Sequence, residues 1–119
     1  MIVILVTMLA GAAGAVIRYL VVLAFAGRSA LPWAVLIVNV VGSAAGGVIV
    51  GLAASGGMSD DIRLILLTGL CGGLTTFSTF SVETIQLVHE GKWRVAALSV
   101  GLNLVLGVAA AAAGYLLAR

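Results

Sequence analysis

Charge is what this sequence has least of. Its 119 residues include six lysines and arginines and four aspartates and glutamates, 8% of the chain, against 63% hydrophobic residues and a mean hydropathy of +1.31. Soluble domains are about 25% charged, so the polar side chains are too few to coat a water-soluble fold. A soluble enzyme and a disordered tail are excluded. Alternation every second residue is also absent, which excludes an outer-membrane barrel. A net charge of +2 makes no basic patch, so no nucleic-acid partner is expected. The one cysteine, Cys71, excludes an intramolecular disulfide and has no metal-ligand spacing around it. The start Met1-Ile2-Val3-Ile4 has no basic region, and its apolar run is too long for a signal segment, so no cleavable leader is expected.

What is present is four long apolar runs. A spanning helix takes about 20 mostly apolar residues, and the runs fall at about 2–26, 32–54, 62–89 and 93–117. The expectation is an all-α membrane protein with one four-helix transmembrane domain over residues 1–119. Arg18 alone interrupts the first run, and Gly27-Arg28-Ser29 joins it to the second. Pro32 suits a first helical position. Ser59 suits the cap of the third helix, where Asp60 and Asp61 favour the N-terminal dipole. Trp33, Trp93 and Tyr115 lie near helix ends, where interfacial aromatics belong.

Basic groups divide evenly between the two faces: Arg28, Lys92 and Arg94 on one, Arg63, Arg119 and the amino terminus on the other. The positive-inside rule then has no bias to act on. A chain that inserts both ways up is expected, and two opposed copies would pair about an axis in the membrane plane. Strict single orientation with another partner is the plainer alternative. The 16 glycines include Gly42-x3-Gly46, Gly47-x3-Gly51 and Gly69-x3-Gly73, small-residue faces on which helix backbones approach closely.

The third run is the unusual one. It reads Gly72-Gly73-Leu74-Thr75-Thr76-Phe77-Ser78-Thr79-Phe80-Ser81-Val82-Glu83, and its centre near Thr75 and Thr76 is expected at the bilayer midplane. Glycines followed by β-branched threonines weaken a helix. The residues alone leave two readings open. In one the helix breaks and frees carbonyl oxygens for a hard cation. In the other it continues, with glycines for packing and hydroxyls bonded back to their own turn. Phe77 and Phe80 share a face, with Thr76, Ser78, Thr79 and Ser81 around them. Hydroxyl donors together with weakly positive ring edges can coordinate a small anion as its water is stripped.

Asn39 lies inside the apolar zone of the second run, where its amide either donates to an anion or bonds across helices. Ser99 and Asn103, at i and i+4, make a polar stripe on the fourth. Arg18 is a cation within a span, either a simple anchor or an electropositive vestibule. Glu83 is placed to pair with Arg18 or with another chain's donor. His89 reads as interfacial. The glycine-rich passage lacks a phosphate-binding lysine, and helices one, two and four carry no carboxylate to move a proton. No nucleophile–base pair or metal cluster appears, so passive conduction or binding is expected rather than enzymatic activity.

These motifs resemble the Fluc (CrcB) fluoride channel family along essentially the whole chain. The resemblance rests on Gly-x2-Gly-Ala-x2-Arg-Tyr at residues 11–19, Val-Asn-x2-Gly-Ser at 38–43 and, most specifically, Gly-Gly-x-Thr-Thr-Phe-Ser-Thr-Phe-Ser-x-Glu at 72–83. It implies an antiparallel, dual-topology dimer in a bacterial-type plasma membrane. The third helix would be broken near the midplane, with two fluoride pores and a sodium ion on the dimer axis. Phe77 and Phe80 would turn ring edges to fluoride, Asn39 would be the pore asparagine, and Thr76, Ser78, Thr79 and Ser81 would bond the anion. Gly72 and Thr75 would give carbonyls to sodium, Arg18 would stand at the vestibule, and Glu83 would line the far end.

The chain departs from the family on the fourth helix. Ser99 stands where similar proteins often carry tyrosine, and Asn103 and Gly107 where they carry serines, so the polar stripe is altered. Some members pair unlike subunits, which sets a heterodimer with a paralogue beside the homodimer. Two other readings compete. A small multidrug exporter of similar size relies on a helix-one glutamate, where this chain has Arg18. A non-conducting assembly subunit would leave the hydroxyl–phenylalanine run unexplained.

Overall fold

A computed structural model describes the whole chain, Met1–Arg119, and it is all helix, without strands. Helix α1 covers Ile2–Phe25 and α2 covers Trp33–Ala54. Helix α3 is continuous over residues 60–74: an α-turn at Asp60–Arg63, π-helix over Leu64–Cys71 and a last α-turn at Gly72–Leu74. Helix α4 covers Ser78–His89 and α5 covers Trp93–Ala118. Four segments are long and apolar enough to cross a membrane: α1, α2, the stretch Asp60–His89 that holds α3 and α4, and α5.

The ends of these helices follow from local chemistry. Ser59 caps α3, its hydroxyl accepting the Ile62 N–H at 3.3 Å. Pro32 sits one position earlier than its fixed φ suggested. Its carbonyl accepts the Leu36 N–H at 3.2 Å, so it is the cap residue and Trp33 the first helical one. Helices α2 and α4 close alike. Gly56 and Gly91 adopt φ of +78° and +79°, and the next N–H of each turns back to Leu52 and Leu87. This double-bonded closure needs a left-handed residue, which glycine supplies without steric cost.

Packing rests on backbone approach between two helix pairs. On α2 and α5, a methyl at Gly47 would run into the Ala111 carbonyl, and one at Gly114 into the Ala44 carbonyl. On α1 and α3, Gly73 lies against the Gly11 backbone and Gly69 against Thr7. Lipid provides no hydrophobic drive between helices, so dispersion across such close faces has to hold the bundle. Helix α2 is the most enclosed element, with Val35, Val38, Gly42, Gly46 and Gly47 among its buried residues. The outer face of α1 is almost wholly exposed, from Ile4 and Met8 to Tyr19 and Leu23, as suits a surface against acyl chains.

Helical geometry stops after Leu74. Thr75 is extended (φ −82°, ψ 157°), residues 75–77 are non-helical, and the chain coils again at Ser78. The π-helix just before it had no marker in the sequence, because α- and π-helices accept the same apolar residues.

Candidate functional site at the interrupted third span

An extended residue inside an apolar segment strands backbone polar groups, and each costs free energy if left unpaired. Asn39 on α2 takes up both groups of Thr76. Its Oδ1 accepts the Thr76 N–H at 2.8 Å, and its Nδ2 donates to the Thr76 carbonyl at 3.2 Å. The second hydrogen of Nδ2 goes to Asn103 Oδ1 at 3.0 Å, and Asn103 Nδ2 in turn donates to the Ser99 carbonyl at 2.9 Å. The chain of amides has one possible polarity. It begins at a backbone N–H and ends at a backbone C=O, which fixes how each amide is turned.

The threonines finish both half-helices. Thr76, 8% exposed, accepts the Thr79 N–H on its hydroxyl oxygen at 3.1 Å, as a cap does for α4. That oxygen also lies 3.4 Å from Ser78 Oγ. The Thr75 hydroxyl donates to the Cys71 carbonyl at 2.9 Å, and the Ser81 hydroxyl to the Phe77 carbonyl at 2.8 Å. These two bond back to their own turns. Arg18 of α1 is half-buried, and its Nε donates to the Gly73 carbonyl at 3.2 Å. A cation thus meets a carbonyl at the C-terminal end of α3, where the dipole favours it.

The predicted residues fall around three grooves. Asn39, Thr75, Thr76, Phe77, Phe80 and Asn103 line the first, of about 410 Å³, together with Ser43. Its phenyl rings lie 6.0 Å apart at 49°; Phe80 is half-buried and Phe77 is 80% exposed. Ser78, Thr79, Glu83 and Gln86 line a second groove of about 360 Å³. Gly72 and Thr75 meet in a third, of about 470 Å³, with Gly42, Ser43 and Gly46. Ser99 is buried beneath the amide chain, its own hydroxyl unpartnered, and Ser81 belongs to none of the three.

Arg18 and Glu83 do not pair. Arg18 uses its Nε on the Gly73 carbonyl, and Glu83 Oε2 is buried with no partner in the chain. The structure's ion pair is instead Lys92–Glu90 at 3.2 Å, with both side chains about half exposed. Ser43, which borders two grooves, escaped the site reading. Its signal was its place one turn after Asn39.

The arrangement brings amides, hydroxyls and two phenyl rings together, with a cation held at the margin, and no cluster of three or more His, Cys, Asp or Glu side chains accompanies them. Residues 5–115 match the family model described as CrcB-like protein, Camphor Resistance (CrcB). The chain belongs to the CrcB family. It is 46% identical over 100 residues to a protein of Shewanella sp. (strain ANA-3), covering 82% of this chain and 81% of that one. A protein of Ruegeria sp. (strain TM1040) is 44% identical over 114 residues, 93% of this chain and 90% of that one. Both relatives are named fluoride-specific ion channel FluC. With four segments able to span the bilayer, this CrcB chain is a multi-pass membrane protein.

Proposed function

We propose that the chain is a fluoride-selective channel that lets cytoplasmic fluoride leave passively across the plasma membrane. The carrying observation is the neutral groove at residues 75–80, where amides and phenyl rings meet without a charged side chain. Fluoride is small and gives up its water reluctantly, so a pore has to replace hydration with donors. A fixed cation at the narrow point would hold the anion too tightly to conduct. Neutral N–H and O–H groups and ring edges strike that balance. The names of the relatives point the same way.

A second copy in opposite orientation completes the groove. Two features support this: Phe77, on the rim of the groove, is left 80% exposed by the chain itself, and the basic groups are balanced between the faces. The third helix is then a span broken at the midplane, and Glu83 with Thr79 and Ser78 continues the polar path beyond the rings.

The Gly72 and Thr75 carbonyls suit a sodium ion. In an unbroken helix the Gly72 carbonyl would accept the Thr76 N–H, which here goes to Asn39, and no backbone N–H reaches the Thr75 carbonyl. Two freed carbonyl oxygens form a hard-cation donor set, and a bound sodium would supply fixed positive charge at the junction.

The test is growth on fluoride of a bacterial host lacking its own exporter. Expression of the chain restores growth, and Phe77→Ile or Phe80→Ile abolishes the rescue while the protein still reaches the membrane as a dimer. Resistance to cationic drugs without fluoride rescue would favour an exporter instead.

A further inference from the structure

Two glycines decide where the single charged side chain of α1 lands. A methyl at Gly14 would run into the Leu70 carbonyl and the Gly73 backbone, and Gly73 in turn lies against the Gly11 backbone. Arg18 follows at i+7 from Gly11 and i+4 from Gly14, on the same face of α1. Its Nε thereby reaches the Gly73 carbonyl at 3.2 Å. No carboxylate neutralises it, since the chain's ion pair is Lys92–Glu90.

The bond falls at a telling place. In a continuous helix the Gly73 carbonyl would accept the Phe77 N–H, which makes no backbone bond here. Gly73 therefore lies between Gly72 and Thr75 as a further carbonyl freed by the interruption, and this one is already taken by a cation.

We infer that Arg18 is a tethered rival to sodium at the end of α3, whose fixed charge keeps the ion's affinity for the Gly72 and Thr75 carbonyls low. This rests on the sodium reading above and deepens it. Both cations are drawn by the same helix end. Arg18 is half-buried, so its repulsion of a second cation is poorly screened, and its Nε withholds the Gly73 oxygen from the ion. Removing the charge tightens sodium. An anchor at the membrane surface would leave sodium binding unchanged.

Glutamine is the decisive replacement. Its Nε2 stands as many bonds from the backbone as the Nε of arginine, so Arg18→Gln keeps a donor for Gly73 and removes the charge. Purified parent and variants in nanodiscs are melted across a series of sodium chloride concentrations, without fluoride, with N-methylglucamine chloride holding ionic strength constant. Sodium that binds the folded chain raises the melting temperature by mass action, and the rise gives its midpoint.

Arg18→Gln should move that midpoint to lower sodium by about tenfold or more. Arg18→Lys, which keeps the charge, should stay near the parent. An unchanged or higher midpoint in Arg18→Gln would overturn the inference, as would an equal fall in Arg18→Lys. If Arg18→Gln does not fold, Arg18→Met is read in its place: it also lacks the charge, and a midpoint no lower than the parent's would overturn the inference. Parent and variants that all melt independently of sodium would sink the sodium reading and the inference together. That outcome is distinct from a site that binds sodium without heeding Arg18, which would sink the inference alone.

Discussion

The two halves of the third span are made of different materials. Residues 60–74 meet α1 through glycine, with Gly69 on Thr7 and Gly73 on Gly11 close enough that no methyl fits. Residues 78–89 carry hydroxyls and a carboxylate, and only Leu87 among them is buried. The first half has a packing reason for nearly every unusual residue. The second has few neighbours in the chain beyond the Ser81 and Thr84 hydroxyls bonded back to their own turns, and under the proposed function Ser78, Thr79 and Phe80 would face an anion and a second subunit.

The sharpest way to break this comparison is at the rings. Phe80→Ile or Phe77→Ile is expected to reduce fluoride efflux at least 100-fold, while size-exclusion elution and melting stay near the parent's. Loss of folding in both variants would show that the rings pack rather than conduct. The converse substitution is in a glycine face. Gly47→Ala pushes a methyl into the Ala111 carbonyl, and overpacking of that kind costs about 1–3 kcal/mol. Thermal melting should record it, with Gly101→Ala as the control, since nothing lies within 4 Å of a methyl there. Comparable losses in both would mean that helix faces, not close approach, set the stability.

Smaller effects refine the picture. Thr76→Val keeps the shape but removes the oxygen that accepts the Thr79 N–H, and losing such a cap costs about 1 kcal/mol. A melting shift of that size, with some loss of flux, is expected. Smallest is Lys92→Ala, which breaks the exposed pair with Glu90. Pairs of that kind contribute about 0–1 kcal/mol, so neither flux nor melting should change measurably.

Much of the fold was legible because lipid imposes it. Length and hydropathy locate four spans, and Ser59 marks the start of α3 through the chemistry of caps. The glycine pairs on α2 and α3 read as contact faces, and they are. Side-chain pairing across helices was harder to see. That Asn39 bonds Thr76 and Asn103 depends on α2 and α5 lying together at one depth, which no local window contains. The π-helix at Leu64–Cys71 left no trace, since its cause is geometric rather than compositional. Arg18 illustrates the limit: a cation in a span is visible from the sequence, but its partner, the Gly73 carbonyl, is 55 residues away.

The most direct test of the account uses the purified chain alone in liposomes loaded with fluoride or chloride, with efflux read by ion-selective electrodes. The account predicts rapid loss of fluoride and retention of chloride. Equal release of both anions would contradict the selective neutral groove, and retention of both by a correctly inserted dimer would contradict the channel itself.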